Sequence, residues 1–156
     1  MLSEKILNIE PVRNCWGKQQ RRCEYDRKKV AKIQCVLIGD KDKANPKTLE
    51  LLKKISGYEI IFIPKLSKLW KNIKKENVWV FLIYDNEIFS DNLDIALKHY
   101  VNTPFYDSWE IPVNMTRNAF DNQIRLFRGN IKYSNGFLRN AGCTGKALIG
   151  SVKRWR

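Results

Sequence analysis

Side chains suited to metal and redox chemistry are scarce in this chain. It has one histidine, His99, and four cysteines, Cys15, Cys23, Cys35 and Cys143. No two cysteines stand in a CxxC spacing and none is near His99, so neither a zinc pattern nor a dithiol motif is present, and reduced thiols, buried or incidental, are expected. His99 itself is expected on the surface near a helix end, where the helix dipole favours a protonated imidazole. Long apolar runs are missing as well: no stretch approaches the roughly 20 residues that cross a bilayer. Glu4, Lys5 and Glu10 fall within the first ten residues, which is not the core of a signal peptide. A cytoplasmic location is the expectation.

Acidic residues are in the minority. Asp and Glu total 16 against 29 Lys and Arg, a formal net charge of +13. Such a field draws polyanions, but by itself does not choose among nucleic acid, an anionic membrane surface to which the protein would be peripheral, and phosphorylated small molecules. The length of 156 residues suits one domain. Residues 1–29 are polar and basic, with Arg21, Arg22, Arg27, Lys28 and Lys29 close together, and read as an N-terminal arm or a solvated face. Residues 30–156 read as a single α/β domain.

Within that domain the pattern is regular at first. "VAKIQCVLIG" is an apolar run ending at Gly39, which predicts a strand. Asn45 and Pro46 mark a helix start, Leu49, Leu52 and Ile55 recur at helical spacing, and Gly57 stands past the end. "YEIIFIP" predicts a second strand, "LSKLWKNIKKE" a second helix capped by Ser67, and "VWVFLIY" a third strand. This βαβαβ order predicts a Rossmann-like parallel half whose central strand, buried on both faces, loses alternation. Asp91 is then expected to cap a short helix through His99 and Tyr100. "SWEIPVNMTR" and "NQIRLFRGNIKYS", joined through Gly129-Asn130, predict antiparallel strands in the C-terminal third, hence a mixed sheet. The glycine-rich tail from Asn135 onward carries no firm signal.

Ligands of open parallel sheets bind beyond the carboxyl ends of the strands. Three pieces of the chain fall there: Gly39-Asp40, Pro64-Lys65 and Asp85-Asn86-Glu87. In an extended segment Asp85 and Glu87 point the same way and could share one hard cation, Mg²⁺ or Mn²⁺, completed by water and phosphate oxygens. The alternative is a solvated strand end followed by a helix cap.

"ENVWVFLIYDNEIFSDNL" resembles the segment of GT-A fold glycosyltransferases of the family-2 type in which a hydrophobic strand ends in an aspartate-rich metal motif. "NQIRLFRGNIKYSNG" resembles a later segment of the same enzymes. The likeness spans about residues 30–137, and its specific part is these two stretches. It implies a nucleotide-sugar donor, commonly UDP-linked, whose diphosphate is neutralised by a divalent metal on Asp85 and Glu87, with Asn86 between them. Arg125 and Arg128 match the family's "RLFR" segment as weak substrate contacts, although as strand residues they are more simply read as reaching solvent or a neighbouring carboxylate; Asp40 is a candidate nucleotide contact that no motif places. Where the family usually carries an acidic residue after the second strand, this chain has "FIPKLSK", and where it tends to carry His-Glu it has "GFLRN". No motif singles out a base among Asp107, Glu110 and Asp121. These departures imply a reduced or inactive relative, with the acceptor unspecified. A second reading, a nucleic-acid-binding protein without catalysis, rests on the net charge, the basic arm and the terminal "KRWR".

Overall fold

The computed structural model describes residues 32–73, 78–103, 106–116, 119–129 and 143–155. The basic arm, Asn130 of the expected Gly129-Asn130 turn and the "IKYS" and "GFLRN" segments lie outside these residues.

β1 (Ile33–Ile38) is buried along its whole length, as expected of a strand covered on both faces. α1 (Pro46–Ile55) starts where its signals predict: the Asn45 side chain accepts a hydrogen bond from the Lys47 N–H and proline takes the first turn. β2 (Ile61–Ile63) is short. The following helix is much smaller than its sequence suggests. A 3-10 turn at Leu66–Lys68 leads into a single α-turn, α2 (Leu69–Asn72), and no side chain, Ser67 included, caps it. Leu69 and Ile73 still bury their apolar side chains, so the hydrophobic spacing was satisfied without a full helix.

β3 (Trp79–Tyr84) pairs in parallel with β1, which pairs in parallel with β2 on its other side. The strand continues into an Asp85-Asn86 turn and then β4 (Glu87–Ser90), an element absent from the sequence expectations. α3 (Leu93–Val101) follows. Its N-cap is Asn92 in the left-handed region, with no capping side-chain bond, and not Asp91, whose carboxylate instead accepts a hydrogen bond from the Ser151 hydroxyl at 3.0 Å.

β5 (Ser108–Thr116) and β6 (Ala119–Arg128) form the antiparallel pair expected in the C-terminal third. Their connection falls between Thr116 and Ala119. β6 pairs antiparallel with β3 over Trp79–Phe81, so it continues the parallel half into a mixed sheet. The tail contributes β7 (Thr144–Lys146) and β8 (Ser151–Arg154), both parallel to β5. The main strand order is β2-β1-β3-β6-β5-β8-β4. Since β4 follows β3 in sequence yet sits at the far end of this order, the sheet curls back on itself.

Two apolar cores result. Inside the curl, Leu37, Trp79, Phe81 and Ile83 meet Leu52 of α1 and Leu93 and Leu97 of α3. On the opposite face Val36, Ile38, Val80, Leu82 and Phe127 meet Leu69 and Ile73. Each such side chain contributes about 1.5–3 kcal/mol when fully buried. No helix among the described residues is long and apolar enough to cross a membrane. Cys35 is a buried free thiol, but Cys143 is disulfide-bonded, which corrects the expectation of reduced thiols for that residue.

Candidate functional site

From β1 the chain passes to β2 on one side and afterwards to β3 on the other. The gap between the carboxyl ends of β1 and β3 is therefore the point where the connections diverge, and open α/β sheets take ligands at such a point. Gly39-Asp40 leaves β1 there, and Asp85-Asn86 leaves β3 there.

The two ends are tied together. The Asp85 N–H donates to the Ile38 carbonyl at 3.0 Å, and the Gly39 N–H donates to the Ile63 carbonyl at 2.8 Å. Asp85 Oδ2 accepts from the Asp40 N–H at 2.9 Å. Gly39 makes this approach possible: its φ is +122°, and a Cβ on it would lie 2.5 Å from Asp85 Cγ. The Asp40 carboxylate accepts from the Asp42 N–H at 3.0 Å and caps a short turn over Lys41–Lys43. From the far side Trp155 closes on the turn, its indole N–H donating to the Asp85 carbonyl at 3.2 Å and its backbone N–H to the Asn86 carbonyl at 3.0 Å. Asp40 and Asp85 thus meet at this edge, with Asn86 beside Asp85 in the turn. The role of Trp155 was not legible, because the terminal "KRWR" reads as a basic patch rather than as a strand end returning to β3.

Glu87 goes elsewhere. Its carboxylate is 3% exposed and meets the Arg125 guanidinium through two parallel hydrogen bonds, Nη1 to Oε1 at 2.7 Å and Nη2 to Oε2 at 2.8 Å. Oε1 also accepts from the Tyr84 N–H at 2.8 Å, closing the seam between β3 and β4. The pairing of Asp85 with Glu87 presumed a continuous extended strand, and the intervening two-residue turn breaks that alternation. A divalent cation on Glu87 would have to displace a bidentate guanidinium and stand beside its charge. Among the described residues, no three His, Cys, Asp or Glu side chains gather in a metal-holding group. The residues present do not fit a Mg²⁺ or Mn²⁺ clamp built on Asp85 and Glu87.

Arg125 and Arg128, weak candidates for substrate contacts and more simply read as reaching solvent or a neighbouring carboxylate, are both interior, and Arg125 meets a carboxylate. Arg125 is 3% exposed, stacks 4.9 Å from the Tyr84 ring centre and receives support from Gln123, whose Oε1 accepts from Nε at 3.0 Å. Arg128 is 1% exposed, lies 4.7 Å over the Trp79 ring and has Nε 3.9 Å from Asp107 Oδ1. Asp107 in turn accepts from the Cys143 N–H at 3.3 Å. Each arginine therefore sits in a group of one aromatic ring and one carboxylate, on opposite faces of the sheet. Of the other acids considered as a base, Asp121 is exposed and accepts from Gln123, and Glu110 lies within β5. His99 is exposed in the last turn of α3, as expected.

Neither a protein-family model nor a curated protein matches the chain.

Proposed function

We propose that this chain is a reduced, GT-A-like relative of family-2 glycosyltransferases that binds the nucleotide part of a nucleotide-sugar at the gap between β1 and β3. The observation that carries the reading is the meeting of Gly39, Asp40 and Asp85 at that gap. A carboxylate at the ligand edge of a parallel sheet can accept hydrogen bonds from ribose hydroxyls, the work done in dinucleotide-binding sheets by an acid after the second strand, which this chain lacks. Lys43 and Lys65 are exposed in the loops that leave β1 and β2 at the same edge, and offer positive charge to a diphosphate. The strand order β2-β1-β3 and the connections through α1 and α2 support the same reading.

Because Glu87 is committed to Arg125, recognition relies on the carboxylates of Asp40 and Asp85 and on lysine charge rather than on a two-carboxylate metal clamp. The UDP-linked donors implied by the resemblance are the first to test. Calorimetric titration with UDP, UDP-glucose and other nucleotide-sugars, in Mn²⁺ and in EDTA, is expected to give binding in both buffers. Asp85→Asn and Asp40→Ala should each weaken it at least about tenfold, the loss of a charge-assisted hydrogen bond. Absence of binding by every nucleotide, or equal binding by both variants, would reject the reading.

A further inference from the structure

A second feature lies on the outer edge of the sheet, away from Asp85. β2 is an edge strand whose Ile61 and Ile63 face the core on the α2 side, which turns Phe62 to the α1 side. α1 does not cover it there, and Phe62 is 39% exposed. Between α1 and β2 runs an open groove of about 350 Å³. Leu49 and Ile60 form its apolar floor, Phe62 and Tyr58 contribute rings, and Lys41 and Lys53 contribute charge. Glu59 is the only carboxylate among the residues that line it. Each ring already carries an ammonium: Lys41 Nζ is 4.9 Å from the centre of Phe62, and Lys32 Nζ is 5.6 Å from the centre of Tyr58.

From these contacts we infer that the groove along β2 binds single-stranded nucleic acid, with bases stacked on Phe62 and Tyr58 and phosphates paired with Lys32, Lys41 and Lys53. Phe62 lies in β2 and Tyr58 four residues before it in the segment that leads into the strand, and both line the one groove, so they offer an extended ligand two stacking positions. Exposed aromatic faces bordered by cations are the recognition surface of sequence-tolerant single-strand binders. An ammonium held over an exposed ring gains less there than a stacked base does. The exchange is favourable: the base takes the ring and the ammonium takes the phosphate. The charge of the whole chain, +13, draws a polyanion to this edge and disfavours a cationic partner. The inference does not depend on the nucleotide-sugar reading, which concerns the opposite side of β1.

The test is fluorescence anisotropy with labelled ten-nucleotide oligothymidylate and oligouridylate, titrated at several salt concentrations, on the full chain. Phe62→Ala and Tyr58→Ala are expected to weaken binding by about 5- to 150-fold each at fixed salt, with an unchanged salt slope. Lys32→Ala combined with Lys53→Ala should reduce the slope of log K against log salt by about 1.4. Asp85→Asn should bind the oligonucleotides as the parent does. Thermal melts of the variants keep folding apart from binding, Phe62 being exposed and Tyr58 half-buried. Full affinity in both ring variants, no binding at low salt, or competition by polyglutamate as strong as that by unlabelled oligonucleotide would each overturn the inference, the last pointing to an acidic peptide instead.

Discussion

Glu87 and Arg125 form a bidentate ion pair in the interior, with N–O distances of 2.7 and 2.8 Å, thirty-eight residues apart in sequence and joined across the end of the β3–β6 pairing. The pair holds β4 against β3 by giving the Tyr84 N–H an acceptor at 2.8 Å, and it places the Arg125 guanidinium against the Tyr84 ring. It therefore fixes the direction in which the chain leaves the Asp85-Asn86 turn.

Removing one partner leaves an uncompensated buried charge. Glu87→Gln or Arg125→Met should cost about 3–5 kcal/mol of unfolding free energy, measured by urea denaturation. The double variant Glu87→Met with Arg125→Met should recover much of that loss, because replacing a buried pair by apolar groups is often neutral. A double variant whose loss equals the sum of the two single losses would show that the residues do not act as a pair.

Gly39→Ala tests the close approach of β1 and Asp85. Alanine would be placed at φ +122° with its Cβ 2.5 Å from Asp85 Cγ and 2.6 Å from Oδ2. Strain at a residue held in this region costs of order 1–3 kcal/mol, and relief requires Asp85 to leave the Asp40 N–H. A lower denaturation midpoint together with weakened nucleotide binding is expected; unchanged values of both would mean that the contact is dispensable.

Much of the parallel half was legible because its signals are local. β3 is a continuous apolar run, β1 is apolar but for Gln34, and Asn45-Pro46 marks a helix start in any context. The destination of Glu87 was not legible. It depends on Arg125, thirty-eight residues away, and on a turn of two residues that defeats the alternation rule. β4 is four residues long, and among the described residues its strand partner is β8, about sixty residues further on. Asp91 looks like a helix cap, but its backbone is left-handed and its carboxylate serves Ser151 across sixty residues. Arg125 and Arg128 carry no sequence mark that separates a buried guanidinium from a surface one, because their carboxylate partners lie on other elements.

Cys35 offers a pH test. Burial pushes its thiol up from 9.0 to about 12, although a hydrogen bond with Ser56 pulls the other way. The folded state thus holds the proton more tightly than the unfolded chain. The sign follows: this contribution to stability is complete below about pH 9 and is lost as pH rises from there toward 12. At neutral pH the thiol should resist an iodoacetamide pulse until the protein is unfolded, as peptide mapping of the carbamidomethylated residue would record.

Tyr100 pins the loop that leads into β8. Its hydroxyl donates to the Ile149 carbonyl and accepts from the Ile149 N–H at 3.2 Å, while Leu148 stands 94% exposed beside it. Tyr100→Phe should cost about 1–2 kcal/mol, two hydrogen bonds of ordinary net worth. Leu148→Ser should stay within about 0.5 kcal/mol of the parent, because its side chain has little burial to lose. Amide exchange should rise at Ile149 in the first variant and remain unchanged in the second.

Asp85 and Glu87 stand two residues apart, and their surroundings give them different work. Asp85 lies at the sheet's ligand edge, half-buried, with one oxygen on the Asp40 N–H, whereas Glu87 is buried and its two oxygens face Arg125. Asp85→Asn keeps an oxygen for that N–H and should change the unfolding free energy by about 1 kcal/mol or less, while weakening the nucleotide. Glu87→Gln should do the reverse: lose about 3–5 kcal/mol of stability and, below its melting temperature, retain the parent's nucleotide affinity with or without Mn²⁺. Measuring both variants by urea denaturation and by calorimetry separates the roles. A Glu87→Gln protein that is as stable as the parent but blind to nucleotide in Mn²⁺ would place Glu87 on the ligand after all, because a carboxylate whose work is to hold Arg125 and the Tyr84 N–H affects stability before it affects binding.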